Sequence, residues 1–458
     1  MQGAAKIPAD GRILVIIVAV YGLVQAALLG LSRPPEDLVV ADALTFLRMT
    51  RQLLDSGMIV EAQRQPLFPL FAAGVFKVVG SEALYVIFAL QAVLHFFTAW
   101  MTLAIMRLWL PNMAAIAFAL VLLNPNAIGI SHLFLADTLN ATLMMAAVYW
   151  LLRYAARPGW SSVGWFGAML GLAALTRPEN IYLCYIAPIA VVLVALTADH
   201  PRVLFHGLLR GVAALAIGLA LAGPWGVQQL VIEESVAATG VNKAYVNVRG
   251  HFALIEASRL NSIEAIQVKR LALLEPAILE DAGLATASDV KRNRALFRHY
   301  LTRIFTEHPI IVAKLYAKAW IAQFASGGGQ TINQLLQIEM RRPDKIMNSE
   351  NPLSGFLAGF ENSAPGAIII TLASVLFALV LRMLGVVGLI TMAARRHWPL
   401  LLVVVSVIVF KAIIHLFYGI SRYRLPVEPL LMILAVYGID GLWLWWNRFF
   451  DRPQSSGG

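Results

Sequence analysis

Long apolar segments alternate with short basic turns along most of this chain. About ten segments are long enough to cross the roughly 30 Å of hydrocarbon in a bilayer. They cover residues 12–31, 83–107, 112–130, 134–152, 161–176, 180–197, 207–230, 367–393, 398–420 and 425–446. This pattern predicts an all-α fold, a polytopic membrane helix bundle of about ten spans.

Two polar segments, residues 32–82 and 231–366, interrupt the spans. In the first, ADALTFLRMTRQLLDSG and then RQPLFPLFAAGVFKVVG have the spacing of interfacial amphipathic helices. The second segment is also helical in pattern, with a break at Pro309, and residues 327–355 have the composition of a mobile loop or lid. We therefore divide the chain into a transmembrane module (1–230), a helical segment (231–366) and C-terminal transmembrane helices with a short tail (367–458).

Charge sets the expected orientation. The chain has 458 residues, a net charge of +10, 59% hydrophobic residues and a mean hydropathy of +0.72, values typical of a membrane protein. The turns that contain Arg107, Arg153 and Arg395 are basic, which predicts that these turns and both termini are cytoplasmic. Both polar segments then lie outside. The chain lacks the soluble basic domain that nucleic-acid binding requires, so membrane lipids are the expected partners.

Acidic and basic residues meet at the non-cytoplasmic ends of the spans. Charge beside a bilayer is costly unless it serves a function. The residues at this face are Asp42, Arg64, Asp137, Arg177, Glu179, Arg422, Tyr423 and Arg424. Lys411 and His415 lie four residues apart on one helical face inside a span, so we include them as possible substrate contacts, although Lys411 can equally reach the interface or pair with an acidic residue.

Several motifs in this chain resemble those of one family. The early Asp42, RQPLFP, ADTLN, TRPEN and RYRLPVEPLL resemble motifs of the GT-C superfamily of membrane glycosyltransferases. Within that superfamily the chain is most similar to the bacterial aminoarabinose transferases of lipid A and the protein O-mannosyltransferases. The resemblance is strongest over residues 12–230.

The resemblance implies an inverting glycosyltransferase that moves a sugar from a polyprenyl-phosphate donor to an acceptor hydroxyl or phosphate. The acceptor would be a glycolipid, a polysaccharide or a protein, and the site would face the outside of a bacterial inner membrane. Asp42 would be the catalytic base and Arg64 would bind the donor phosphate, with Arg422 or Arg424 as a second phosphate clamp. Arginine suits this role because its planar fork can hold two phosphate oxygens.

Each assignment has a structural alternative. On position alone, Asp42 is as well explained as a helix N-cap, and only the resemblance favours catalysis. Asp137 is more readily explained as a structural residue at a helix start. Arg177 and Glu179 are more readily explained as an ion pair that fixes a turn. Arg422, Tyr423 and Arg424 also suit an interfacial anchor.

Metal dependence and function class remain open at the level of sequence. Asp42, Asp137 and Glu179 are oxygen ligands of the kind that divalent cations use, but no spacing indicates a metal, and we predict a metal-independent enzyme without a cofactor. The alternative function is a transporter or flippase of lipid-linked saccharides. Transporters usually carry polar sites near the bilayer midplane, often within inverted repeats, whereas these charges collect at one face.

Overall fold

The computed structural model describes residues 9–39, 42–59, 64–198, 203–233, 241–260, 262, 264–339, 363–414 and 420–450. Within these residues every regular element is helical and no strand occurs. The α-helices are α1 (Ala9–Leu31), α2 (Asp42–Ser56), α3 (Leu67–Val79), α4 (Ala83–Trp109), α5 (Ala114–Leu122), α6 (Pro125–Ser131), α7 (Asp137–Ala156), α8 (Trp160–Ala174), α9 (Ile181–Thr197), α10 (Val203–Glu233), α11 (Val241–Arg259), α12 (Glu264–Asp281), α13 (Asp289–Glu307), α14 (Pro309–Ala325), α15 (Gly329–Leu335), α16 (Pro365–Ala394), α17 (Trp398–Ile414) and α18 (Glu428–Phe450). The predicted all-α class is confirmed.

Six helical segments of the described chain are long and apolar enough to cross a membrane, which makes this a multi-pass membrane protein. They are Gly11–Leu31, Leu67–Trp109, Pro178–Thr197, Phe205–Gln228, Pro365–Ala394 and Ser421–Asn447. The pair α5 and α6, bent by 48°, makes a seventh if it counts as one span. The predicted count of about ten is not confirmed. Helix α8 has 15 residues, short of the ~20 that a span needs, and α7 is buried along most of its length and carries buried polar residues.

Glycines allow α8, α9 and α10 to pack at very short range. A Cβ at Gly167 of α8 would lie 2.4 Å from the carbonyl oxygen of Ala214 in α10, and one at Gly211 would lie 2.4 Å from Cα of Pro188 in α9. Small residues permit such close helix packing in membranes, where dispersion replaces the hydrophobic effect between helices. The close packing fixes the turn between α8 and α9, which carries charged residues.

The first polar segment forms the two predicted helices, α2 and α3, and the structure packs them against the bundle. Phe46 of α2 and Phe68 of α3 meet edge to face with ring centroids 5.2 Å apart, and Phe68 meets Phe134 at 5.1 Å. Phe134 lies just before α7. Because edge-to-face pairs of buried rings are favourable, this cluster holds the N-terminus of α2 beside the N-terminus of α7.

Helices α11 to α14 form a separate packed unit, which we call the insert unit (residues 241–325). Its core includes Phe252, Leu296, Tyr300 and Ile304. The break between α13 and α14 falls at Pro309, as predicted, because proline suits the first position of a helix. The Tyr316 hydroxyl of α14 donates to the carbonyl of Ala412 at the end of α17, at 3.1 Å, which seats the unit on the bundle.

The predicted mobile loop over residues 327–355 is wrong at its start. Gly327 and Gly328 pack against α16 and α6, and residues Gly329–Leu335 form helix α15. Asn333 is buried and donates to the carbonyl of Ala367 and the hydroxyl of Thr371, both at 3.0 Å. The glycines that suggested a turn instead permit close packing. Residues 340–362, the rest of the predicted loop, lie outside the described residues.

Candidate active site

Asp42 lies between two arginines at one end of the bundle. One of its carboxylate oxygens accepts a hydrogen bond from Arg64 and the other accepts one from Arg422. Asp42 is the first residue of α2, Arg64 lies shortly before α3, and Arg422 lies in the 3₁₀ helix Ser421–Val427, which we call the 421–427 turn. The three side chains are 29%, 21% and 21% exposed. Because each keeps part of its surface exposed, a ligand can reach this group.

A second charged group lies deeper. Arg177 donates to Asp137 and lies 3.6 Å from Glu179, so the predicted ion pair across the turn is present. Lys411 is 1% exposed and donates to Asn180 at 2.8 Å, with Glu179 at 3.4 Å. Lys411 therefore pairs with a carboxylate and does not extend to the membrane surface.

Opposing effects act on the Arg177 guanidinium. Burial lowers its pKa, but the carboxylates of Asp137 and Glu179 together raise the pKa by more, so the net direction is upward. An opposite charge within a few ångströms favours the charged form of a group. Arg177 is therefore a permanent cation of the site.

Tyr423 connects the two groups. The guanidinium of Arg422 lies 5.0 Å from the centroid of its ring, and that of Arg177 lies 5.1 Å from it. Arg422 also donates to the Tyr423 hydroxyl at 3.2 Å. Cations placed over an aromatic face are stabilised by its quadrupole, so this ring holds two arginines close together in spite of their like charge.

Helix ends explain why these charges gather here. Asp42 and Asp137 begin α2 and α7, and Glu179 lies in the 3₁₀ turn that leads into α9, while Lys411 lies in the last turn of α17. Carboxylates are favoured at helix N-termini and cations at C-termini because of the helix dipole. Both Asp42 and Asp137 lie inside the first turn of a helix, a position that the dipole favours and that is compatible with a further chemical role.

The site can hold an anion. It contains the cations Arg64, Arg177, Lys411 and Arg422 and the carboxylates Asp42, Asp137 and Glu179, which leaves an excess of positive charge. The two arginines beside Asp42 are the partly exposed cations of the first group, and guanidinium forks bind phosphate oxygens well. The arrangement offers one partly exposed carboxylate between two partly exposed guanidinium groups.

Arg424 lies apart from this group. It is 1% exposed, and its guanidinium donates to Glu428 and to the backbone carbonyls of Gln323 and Ser326. Each guanidinium nitrogen already has a protein acceptor, so this placement favours Arg422 over Arg424 as the second phosphate clamp. His415, the other predicted contact beside Lys411, lies outside the described residues.

The carboxylates face cations. Among the described residues, no group of three or more His, Cys, Asp or Glu side chains is close enough to hold a metal ion. Asp42 and Asp137 each contact an arginine instead. Metal independence stays a prediction.

Sequence reasoning missed several polar residues that support the site. Asn180 joins Lys411 to the turn between α8 and α9, and Glu428 is bound by Arg382 as well as by Arg424. A signal was present for the last pair, since Arg382 and Glu428 are charged residues within or beside long apolar helices, and such residues need partners in a membrane.

Part of the chain matches a known family. Residues 63–227 match the family model for dolichyl-phosphate-mannose-protein mannosyltransferases. No curated protein matches the sequence at a significant level. The matched residues include Arg64, Asp137, Arg177 and Glu179.

Among solved structures, the fold is similar to the archaeal oligosaccharyltransferase AglB from Archaeoglobus fulgidus. The complex of AglB with an inhibitory peptide and a dolichol-phosphate has a TM-score of 0.52 and 12% identity, covering 95% of this chain and 51% of AglB. The apo enzyme has a TM-score of 0.53 with the same identity and coverage.

ArnT from Cupriavidus metallidurans, bound to undecaprenyl phosphate, also aligns, with a TM-score of 0.42, 16% identity and coverage of 94% of this chain and 78% of ArnT. The chain spans about half the length of AglB. The partial family match and the shared helical architecture show that this chain has a fold similar to that of AglB, and they agree with the resemblance to GT-C membrane glycosyltransferases that its sequence motifs indicated.

Proposed function

We propose that this protein is an inverting glycosyltransferase of the bacterial inner membrane. It moves a sugar from a polyprenyl-phosphate donor to an acceptor hydroxyl or phosphate at the external face, on a glycolipid, a polysaccharide or a protein. The observation that carries this proposal is the Asp42 carboxylate held between Arg64 and Arg422 at one end of an apolar helix bundle. A lipid-linked phosphate sugar has a matching shape, because its charged centre lies at the membrane surface and its tail lies in the bilayer.

Arg64 and Arg422 bind the donor phosphate in this proposal. The bond between the sugar and the phosphate oxygen breaks during transfer, so negative charge grows on the departing phosphate. Fixed cations that face a developing charge lower the barrier. Tyr423 supports this role, because its ring lies beside the Arg422 guanidinium and its hydroxyl accepts a hydrogen bond from it.

Asp42 is the base. It takes the proton from the acceptor hydroxyl as the hydroxyl oxygen attacks the anomeric carbon of the sugar. Attack opposite the phosphate inverts the configuration at that carbon. A carboxylate is a weak base, but the proton transfers as the oxygen becomes bonded to carbon, which makes that proton far more acidic.

Donor binding and base activation are linked by shared partners. In the structure both arginines donate to Asp42. The donor phosphate competes for the same guanidinium groups, so its arrival weakens their hold on Asp42 and frees a carboxylate oxygen for the acceptor. Asp42 can then accept a proton only when a donor is bound beside it. The acceptor is therefore not deprotonated unless a sugar can be transferred to it.

The comparisons support a lipid phosphate as the ligand. The matched family model is that of dolichyl-phosphate-mannose-protein mannosyltransferases, and AglB was solved with a dolichol-phosphate. Both concern phosphates on long isoprenoid chains. They support the class of donor and leave the sugar and the acceptor to experiment.

Transfer from a panel of polyprenyl-phosphate sugars tests the proposal. The purified protein is reconstituted in nanodiscs, and labelled sugar is followed into a cell-envelope extract that supplies acceptors. We expect one donor to be consumed, with turnover lowered about a hundredfold or more in Asp42→Asn. Asp55→Asn is the matched control, since Asp55 is an exposed residue of the same helix. The anomeric configuration of the product reports inversion.

Three results separate the alternatives. Equal turnover in Asp42→Asn and wild type would exclude Asp42 as the catalytic base. Retention of anomeric configuration would remove the direct attack. Saturable binding of donors without any turnover would favour the transporter or flippase.

A further inference from the structure

The 421–427 turn presents its two arginines to different surroundings. A 3₁₀ helix has three residues per turn, so side chains two positions apart point in different directions. Arg422 is partly exposed and contacts Asp42, whereas Arg424 is 1% exposed and points into the protein. The backbone position of Arg422 therefore depends on whatever holds the buried side of this turn, while Asp42 and Tyr423 contact its side chain.

Arg424 joins that buried side to the insert unit. Its Nη2 atom donates to the carbonyl of Ser326 at 2.7 Å, and its Nη1 atom donates to the carbonyl of Gln323. Both carbonyls lie at the C-terminal end of α14, the last helix of the insert unit. A cation there satisfies carbonyls that lack helical partners and interacts favourably with the helix dipole.

Glu428 completes the attachment on the side of the bundle. Its carboxylate accepts hydrogen bonds from Arg424, from Arg382 of α16 at 2.8 Å and from Asn126 of α6 at 3.4 Å. Asn126 also donates to the carbonyl of Ser421 at 3.2 Å, next to Arg422 in the chain. The 421–427 turn is thus held at its first residue and through its middle by one connected network.

We propose that Arg424 is a positioning residue for the donor-phosphate site: it acts through Arg422 and makes the placement of Arg422 depend on how the end of α14 is seated. The proposal rests on the proposed function, because it assumes that Arg422 binds the donor phosphate. The hydrogen bonds to two α14 carbonyls make the turn and the helix move together. A shift of the insert unit, such as one caused by an acceptor bound there, changes the contact between Arg422 and the donor.

A double-mutant cycle on ligand affinity tests this role. The probe is undecaprenyl phosphate, and its Kd is measured for the protein in nanodiscs. The variants are Arg424→Gln, Arg422→Gln and the double variant. We expect Arg424→Gln to weaken binding about tenfold, a size typical of coupled neighbouring charges. In the double variant we expect no further loss beyond that of Arg422→Gln alone, because Arg424 acts only through Arg422.

The matched control is Arg395→Gln. Arg395 directly follows α16 and pairs with Asp440 in the middle of α18, away from Glu428 at the start of α18. Its loss removes an ion pair between the same two helices and leaves the Kd of undecaprenyl phosphate unchanged. Arg424→Lys covers the case in which Arg424→Gln does not fold, since it keeps a charge beside Glu428. The lysine ammonium donates fewer hydrogen bonds than a guanidinium and in less suitable directions. We therefore expect Arg424→Lys also to bind undecaprenyl phosphate more weakly.

The outcomes are distinct. An unchanged Kd in Arg424→Gln and Arg424→Lys overturns the positioning role, and so does a double variant whose loss is the sum of the two single losses. Wild-type protein that neither binds undecaprenyl phosphate nor turns over any donor overturns the proposed function, and the role of Arg424 with it. If the wild type binds undecaprenyl phosphate but the losses in the double-mutant cycle are additive, only the positioning role is overturned.

Discussion

Replacing Asp42 by asparagine should abolish transfer and at the same time tighten the binding of the lipid phosphate. In the proposed mechanism Asp42 and the donor phosphate compete for Arg64 and Arg422, which both donate to Asp42 in the structure. Asparagine has a similar size but no charge, so it holds the arginines less strongly. The two effects therefore run in opposite directions, an outcome that simple damage to the site does not produce.

The expected gain in affinity follows from the exposure of the two ion pairs. Side chains that are 21% to 29% exposed are partly screened by water, and pairs of this kind contribute about 0.5 to 1 kcal/mol each. Release of both arginines then favours phosphate binding by about 1 to 2 kcal/mol, or between about fivefold and thirtyfold in Kd. Loss of a general base lowers turnover by about a hundredfold to ten-thousandfold.

The assay measures both quantities on one preparation. The Kd of undecaprenyl phosphate is determined by titration of protein in nanodiscs at low salt, and turnover is determined with the donor that the wild type consumes. Asp55→Asn should change neither value. If Asp42→Asn loses transfer but binds undecaprenyl phosphate no more tightly than the wild type, the competition between Asp42 and phosphate is refuted.

Three further predictions concern the arginine clamp, the deeper charges and the glycine contact. Arg64→Ala should weaken the binding of undecaprenyl phosphate by about tenfold to a hundredfold, the loss expected for one charged hydrogen bond. The control Arg51→Ala, on the exposed side of α2, should bind as the wild type does. If Arg64→Ala and wild type had equal affinities, Arg64 would be excluded as a phosphate ligand. Lys411→Met should destabilise the protein by about 3 kcal/mol, because it breaks a buried ion pair, and an unchanged thermal unfolding midpoint in detergent would contradict this. Gly328→Ala should impair folding, because Gly328 has φ +84° and a Cβ there would lie 2.5 Å from Cα of Asn126. The control Gly366→Ala should be tolerated. If both variants gave similar yields of folded protein, the contact between residue 328 and Asn126 would be shown to relax.

The sequence predicted the class of fold and the exposed part of the site. Asp42 and Arg422 are 380 residues apart, and no local pattern shows that they meet. They were paired because charge at a membrane surface is costly, and because motifs shared with a known family placed both near a phosphate. Helical periodicity predicted α2 and α3 well, since a single apolar face decides such helices.

Where the structure differs from the prediction, the cause lies in properties that local patterns do not contain. The direction of Arg424 depends on the phase of a 3₁₀ turn, so two arginines in one motif were given the same role. The count of about ten spans is not confirmed among the described residues, because local patterns do not show which helices, such as the largely buried α7, contact lipid. The glycines at 327 to 329 suggested a loop, although their small size serves close packing.

The insert unit also has an evolutionary consequence. Helices α11 to α14 have a hydrophobic core of their own, around Phe252 and Tyr300, and meet the bundle through contacts such as Tyr316 with Ala412 and Arg424 with the end of α14. Mutations within that core change neither helix α2, which carries Asp42, nor the segment before α3, which carries Arg64. Selection can therefore reshape the insert unit rapidly while the bundle changes slowly, so comparison of substitution rates between the two regions would reveal which of them adapts to new cellular targets.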